Sequence, residues 1–201
     1  MRELDFLLAG VGGQGTILAG DILAEVGLEA GYDVKKSEVH GMSQRGGGVE
    51  SHVRWGREVQ SPLVEKGTAD YLLGFEMLEG ARWAGFLSPG GEAIVNRYRI
   101  APPTVSAGKE VYPPEEVLDA ILRAHAPRVR WVDATDVARR LGHPALAGVV
   151  LLGVLSTRLD VGVETWLGVV RRLVPARFVD LNRQAFEAGR EVGAADSSER
   201  R

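Results

Sequence analysis

The stretch from Leu4 to Asp21 constrains this chain more than any other. Leu4, Phe6, Leu7 and Leu8 make a short apolar run of the kind found in strands buried on both faces, and Gly10-Val11-Gly12-Gly13-Gln14-Gly15 follows at once. Gly10, Gly12 and Gly15 have the spacing G-x-G-x-x-G, which joins a strand to a helix through a tight loop. Two consequences are open. The free amides at the helix start, with the helix dipole behind them, favour an anion such as a phosphate or a carboxylate. Alternatively, the glycines serve only to let the helix pack closely on the sheet.

The rest of the chain repeats the alternation of strand and helix. Ile17, Leu18, Ile22 and Val26 form an apolar stripe between Thr16 and the stop at Gly31, with Asp21, Glu25 and Glu29 on a polar edge. Strands are expected at 4–9, 32–39, 49–55, 70–75, 92–96 and 129–133, with helices over 77–87, after Pro113-Pro114 and after Asp133. Asp133-Ala134-Thr135-Asp136 supplies oxygens suited to an N-cap, Ser88-Pro89-Gly90-Gly91 reads as a turn, and 100–108 reads as an irregular surface segment. Val49 to Trp55 alternates, with Val49, Ser51, Val53 and Trp55 on one side and Glu50, His52 and Arg54 on the other. That pattern predicts an antiparallel edge strand with one wet face. The run from Ala145 to Leu155 is apolar on every side and predicts a central helix covered by neighbours or by another subunit. With 201 residues, the expectation is one α/β domain over 1–192, a largely parallel, twisted, Rossmann-like sheet with helices on both faces. Residues 193–201 read as a disordered tail.

Several kinds of chemistry are disfavoured. A net charge of −3 offers no general attraction to nucleic acid or to an acidic membrane surface. No apolar run approaches the ~20 residues that cross a bilayer, and the start lacks a signal-peptide pattern, so a cytoplasmic location is expected. The absence of cysteine removes disulfides, thiolate-held iron–sulfur clusters and thiol nucleophiles. His40, His52, His125 and His143 have no metal-binding spacing, and no metal site is expected. There is no G-x-S-x-G elbow, and Gly15 is followed by Thr16 and Ile17 rather than by the Lys-Ser or Lys-Thr of a P-loop. Asp70 with Glu76, or Asp133 with Asp136, could pair as acid and base, but strand ends and helix caps account for them. No catalytic residue is assigned.

A second glycine-rich stretch, His40-Gly41-Met42-Ser43-Gln44-Arg45-Gly46-Gly47-Gly48, predicts a loop. Arg45 suits a carboxylate or phosphate and Ser43 and Gln44 add hydrogen-bonding groups, while a solvated surface connection is the plainer reading. Taken together, the two glycine stretches resemble the gamma domain of the 2-oxoacid:ferredoxin oxidoreductases. The second is most similar to the small subunit of the indolepyruvate-specific members. The resemblance continues through Val132-Asp133-Ala134-Thr135, Leu151-Leu152-Gly153 and Asn182-Arg183-Gln184-Ala185-Phe186, with Gly148 where relatives often carry asparagine.

The resemblance implies a hetero-oligomeric enzyme, with this small subunit inactive alone. A large alpha subunit would hold thiamine diphosphate, Mg and iron–sulfur clusters. An arylpyruvate is decarboxylated on the thiamine, ferredoxin takes the electrons and coenzyme A takes the acyl group. The missing thiolates agree with this division. Gly12, Gly13, Gln14 and Gly15, with Ser43, Gln44, Arg45 and Gly46, are then the residues expected to hold an anion, the pyrophosphate or 3′-phosphate of coenzyme A. A rival reading is a free-standing NAD(P)-binding oxidoreductase domain that uses the first glycine loop and places Glu38, roughly 20 residues beyond the glycines, on the ribose. A third is a scaffold that binds nothing small.

Overall fold

The computed structural model describes residues 2–40 and 47–198, for His40 and residues 196–198 the backbone alone. Six strands, Leu4–Val11 (β1), Asp33–His40 (β2), Gly48–Gly56 (β3), Ala69–Gly74 (β4), Leu87–Asn96 (β5) and Arg128–Val132 (β6), form one sheet in the order β2-β3-β1-β4-β5-β6. The helices are Thr16–Glu29 (α1), Met77–Arg82 (α2), Pro103–Ser106 (α3), Glu115–His125 (α4), Ala134–Arg140 (α5), Ala147–Ser156 (α6), Val163–Leu173 (α7) and Val179–Ser198 (α8). β1, β4, β5 and β6 run parallel, and β3 runs antiparallel to both of its neighbours. The expected α/β sheet is therefore present.

Leu4, Phe6, Leu8, Leu73, Phe75 and Ile94 face one side, where α1, α5, α6, α7 and α8 close the larger core. Leu7, Ala9, Leu72, Ala93 and Val95 face the other, beneath Leu122 and Ala126 of α4 and its end. This continuous apolar character explains why the strands in the middle show no alternation. All ten residues of α6 are buried, and α8 of the same chain supplies the cover, so no second subunit is needed for that purpose. The crossing is close because glycines meet backbone: a Cβ on Gly189 would stand 2.1 Å from the Val150 carbonyl oxygen, and one on Gly153 would stand 2.2 Å from that of Phe186.

Four expectations need correction. The alternating strand β3 is antiparallel but is not an edge, because β2 pairs along its outer side and becomes the edge itself. Its polar face is not wet throughout. His52 is buried, and its Nδ1 accepts a hydrogen bond from the Val64 N–H at 3.1 Å, so the segment after β3 folds over that face. Residues 88–91 do not turn the chain between elements; β5 begins at Leu87, opposite Ala69, and the register shifts before Glu92 pairs with Tyr71. The last helix continues past Gly193 to Ser198, because Gly193 packs against Thr157 and keeps α8 on α6 where a tail is expected.

Two predictions follow from the packing. Gly189→Ala forces a methyl into a backbone carbonyl and should destabilise the chain by about 2–3 kcal/mol. Gly168→Ala, within α7 and with nothing inside 4 Å of its Cβ position, should stabilise it by about 0.5–1 kcal/mol. Urea unfolding of both variants reads the two signs, and equal effects would refute the close crossing.

Burial also pushes the His52 imidazole below its ordinary 6.5. The unfolded chain then binds a proton near that value while the folded chain refuses it. Stability is complete above about pH 6.5 and is lost as pH falls toward the depressed folded value. Thermal melts between about pH 7.5 and about pH 5 should fall more steeply for the parent than for His52→Asn, whose side-chain oxygen accepts from Val64 without titrating. Identical slopes would remove His52 from the acid response.

Candidate functional site

From β1 the chain crosses through α1 to β2, on one side in the sheet order; from β4 it crosses through α2 to β5, on the other. β1 and β4 are neighbours, so the loops beyond their C-terminal ends diverge and leave a crevice, the usual ligand position in sheets of this kind. A cleft of about 310 Å³ lies there, lined by Gly12, Gly13, Gln14, Phe75, Asn96, Tyr98, Ile100, Thr135, His143, Pro144, Ala145 and Ala147.

The glycine loop forms one wall. Gly13 and Gly15 have φ of +98° and +81°, conformations that a residue with a side chain rarely adopts, and Gly15 is the N-cap of α1 without any side-chain cap. The first amides of α1 accordingly have no intrahelical partner. Gly12 donates its N–H to the Gly47 carbonyl at 3.1 Å, which ties the loop to the start of β3. Gln14 lines the cleft, and its oxygen and one of its two N–H groups are engaged within the protein. Its Oε1 accepts from the Val11 N–H at 2.8 Å and its Nε2 donates to the Phe75 carbonyl at 2.9 Å. Gln14 therefore shapes the loop. Gly15 stands beside the cleft, with the Ala145 carbonyl 3.7 Å from its Cβ position. Ser43, Gln44, Arg45 and Gly46 lie outside the described residues.

The opposite elements were not singled out in the sequence as lining a site. Asn96, at the end of β5, donates through Nδ2 to the Phe75 carbonyl at 3.0 Å and to the Thr135 hydroxyl at 2.8 Å, and its Oδ1 accepts from the Thr135 N–H at 3.1 Å. Asn96 thus supplies the bond at the start of α5 that Asp133 was expected to make; Asp133 makes no side-chain cap there. Beyond β5, Met77 N–H donates to the Tyr98 carbonyl, and the buried Glu76 carboxylate accepts from the Ile100 N–H at 3.1 Å and from the Tyr112 hydroxyl. Burial, with that carboxylate receiving its proton, pushes the Tyr112 hydroxyl far up, so it remains a donor. These contacts set Tyr98 and Ile100 in the cleft wall, with the Arg139 guanidinium 5.4 Å from the Tyr98 ring centre. Glu76 also caps α2 through the Glu79 N–H, which is the structural role expected for it.

The first residues of α6 complete the enclosure. A Cβ on Gly148 would stand 2.9 Å from the Phe75 ring, so that ring fills the space where the resemblance led one to expect asparagine. No role of that asparagine carries over. The sequence signal for Phe75, Asn96, Tyr98, Ile100 and Thr135 was their position, at or just past the C-terminal end of a parallel strand or at the start of the helix that follows; His143 to Ala147, between α5 and α6, had none.

Glu38, the rival's ribose partner, stands on β2, and β3 separates it from β1. Its carboxylate pairs with Lys36, whose Nζ also meets Asp21 of α1. The arrangement that would hold an adenosine ribose beside the glycine loop is absent.

Comparison with known proteins agrees with this geometry. Residues 5–192 match the pyruvate ferredoxin/flavodoxin oxidoreductase family. The indolepyruvate oxidoreductase subunit IorB of Archaeoglobus fulgidus is 37% identical over 189 residues, which cover 93% of this chain and 94% of that one. The gamma subunit of a keto/oxoacid ferredoxin oxidoreductase from Geobacter sulfurreducens superposes with a TM-score of 0.70 at 26% identity, over 96% of this chain and 99% of that one. A 2-oxoglutarate:ferredoxin oxidoreductase from Magnetococcus marinus shares the fold with a TM-score of 0.73 at 20% identity, over 97% of this chain but 32% of that one. The chain belongs to the pyruvate ferredoxin/flavodoxin oxidoreductase family, as a small subunit of the 2-oxoacid:ferredoxin type.

Proposed function

We propose that this subunit completes an oxidoreductase for an arylpyruvate such as indolepyruvate, and that its cleft holds the anionic part of coenzyme A. The observation that carries the reading is the cleft at the divergence of β1 and β4, walled by a glycine loop whose helix begins with amides that have no intrahelical partner. The names of relatives at 37% identity favour indolepyruvate as the 2-oxoacid.

The donor set of this chain does not suit the redox cofactors of the family. It has no cysteine to ligate an iron–sulfur cluster, which agrees with the division that the family resemblance implies: clusters, thiamine diphosphate and Mg on a large alpha subunit that passes electrons to ferredoxin. Thiamine supplies the nucleophile for decarboxylation when bound there. The work of this chain is to bind and orient: Gly12, Gly13 and Gly15 allow close approach of a phosphate, Gln14 fixes the loop, and Arg45, with Ser43, Gln44 and Gly46, adds a charged contact from the second loop. A cytoplasmic location is consistent with that assembly, and among the described residues no helix is long and apolar enough to cross a membrane.

Arg45→Ala in the assembled enzyme should weaken coenzyme A binding about tenfold. Gly13→Ala, strained at its φ of +98°, should raise the KM for coenzyme A several-fold with a smaller change in kcat. Unchanged values for both would remove the loops from the site. The isolated chain should not bind NAD or NADP, because its Glu38 is committed elsewhere; a micromolar affinity in a direct titration would reinstate the dinucleotide reading.

A further inference from the structure

His143 opens the segment that closes the cleft beside the glycine loop. Its Nδ1 accepts a hydrogen bond from the Ala145 N–H at 3.1 Å. A ring nitrogen that accepts carries no proton, so the neutral imidazole has its hydrogen on Nε2. The residue is exposed, and no bond to Nε2 exists among the described residues. The other polar side chains of the wall are differently placed. Asn96 has its oxygen and both N–H groups engaged, Gln14 has its oxygen and one N–H engaged, and the buried Thr135 already receives the Asn96 amide. Among the described residues, the lining carries no Asp, Glu, Lys or Arg. Among the described residues, the uncommitted side-chain donors at accessible positions are therefore the Nε2–H of His143, the hydroxyl of Tyr98 and the second N–H of Gln14, whose direction is tied to the loop by its two other bonds.

We infer that His143 is a binding residue of this cleft, presenting a fixed neutral Nε2–H to a phosphate oxygen of the occupant; this rests on the reading that the cleft takes coenzyme A. The Ala145 contact sets the tautomer, and a rigid turn sets the direction. The donor is therefore oriented before the ligand arrives, and binding loses less side-chain freedom. The Ala145 carbonyl stands 3.7 Å from the Cβ position of Gly15, so the turn that carries the ring lies directly beside the glycine loop.

The experiment separates the ring's two nitrogens. His143→Asn places an amide oxygen where Nδ1 accepts, in a residue type favoured at such caps, but has no donor at the Nε2 position. His143→Gln reaches the Nε2 position with an amide N–H and leaves the Ala145 N–H without its short-range acceptor. Both variants are assembled with the partner subunit, and the Kd for coenzyme A by calorimetric titration, the KM and kcat, and the melting temperature are measured beside Gly13→Ala. Asn should leave the melting temperature as in the parent and raise the Kd and KM about tenfold with kcat retained at saturation. Gln should lower the melting temperature and restore most of the affinity. Parent-like Kd for His143→Asn, with Gly13→Ala still impaired, would overturn the assignment of His143 while leaving the cleft its ligand. Parent-like Kd for both would overturn the cleft reading, and this inference with it. Loss of affinity that follows melting temperature, worse in Gln than in Asn, would make His143 a structural cap only.

Discussion

The carbonyl of Phe75 is the point on which the functional end of the sheet depends. Its two lone pairs are taken by primary amides from separate elements, Gln14 in the glycine loop and Asn96 at the end of β5, while the Phe75 N–H donates to the Ala9 carbonyl of β1. Asn96 then carries the connection to the start of α5 through Thr135. One backbone unit thereby fixes the ends of three neighbouring strands and the start of a helix. An apolar replacement on either side would leave a buried acceptor short of a partner, at about 1–3 kcal/mol. The cleft exists because the strands are pinned here and the loops beyond them are free to diverge.

The second constraint is the place of β3. A dinucleotide site of the usual form needs the second parallel strand next to the first, so that its acidic end meets the ribose beside the glycine loop. Here an antiparallel strand lies between them and moves Glu38 away by a further strand spacing, about 4.8 Å. Glu38 instead shares Lys36 with Asp21, a packing arrangement between the edge strand and α1. Lys35 and Lys36 on that edge also discourage pairing with another chain. The same G-x-G-x-x-G loop thus serves a different end because of a pairing far from it in sequence.

That distinction marks what could be read from the residues. Strand positions, the glycine loop and the α/β class follow from local pattern, and apolar runs such as Leu4–Leu8 and the Val149–Leu155 stretch announce their own burial. Sheet order does not, because the alternation of β3 is the same whether or not another strand pairs outside it. The site divides along the same line. Gly12, Gly13 and Gln14 were legible, but the role of Gln14 was not, since no motif tells whether an amide is free or bound to its own backbone. Phe75, Tyr98, Ile100 and His143 were missed because they come together only through the topology. Gly193 was misread for a related reason: a glycine in a polar segment looks like a break until the close contact it permits with Thr157 is seen.

Among the described residues the cleft lining has no formally charged side chain, and such a wall would recognise an anion differently from a cluster of arginines. Amide groups and neutral donors act at hydrogen-bond range and only along fixed directions, so they discriminate by geometry and add little long-range attraction. Such a site is suited to a co-substrate that must leave after every turnover, where a desolvated ion pair would slow release. It also leaves the attraction at a distance to charged side chains, the part proposed above for Arg45. Recognition and attraction would then sit on different loops. The glycine loop is tied to the Phe75 and Gly47 carbonyls, so a ligand positioned there is positioned by the sheet itself.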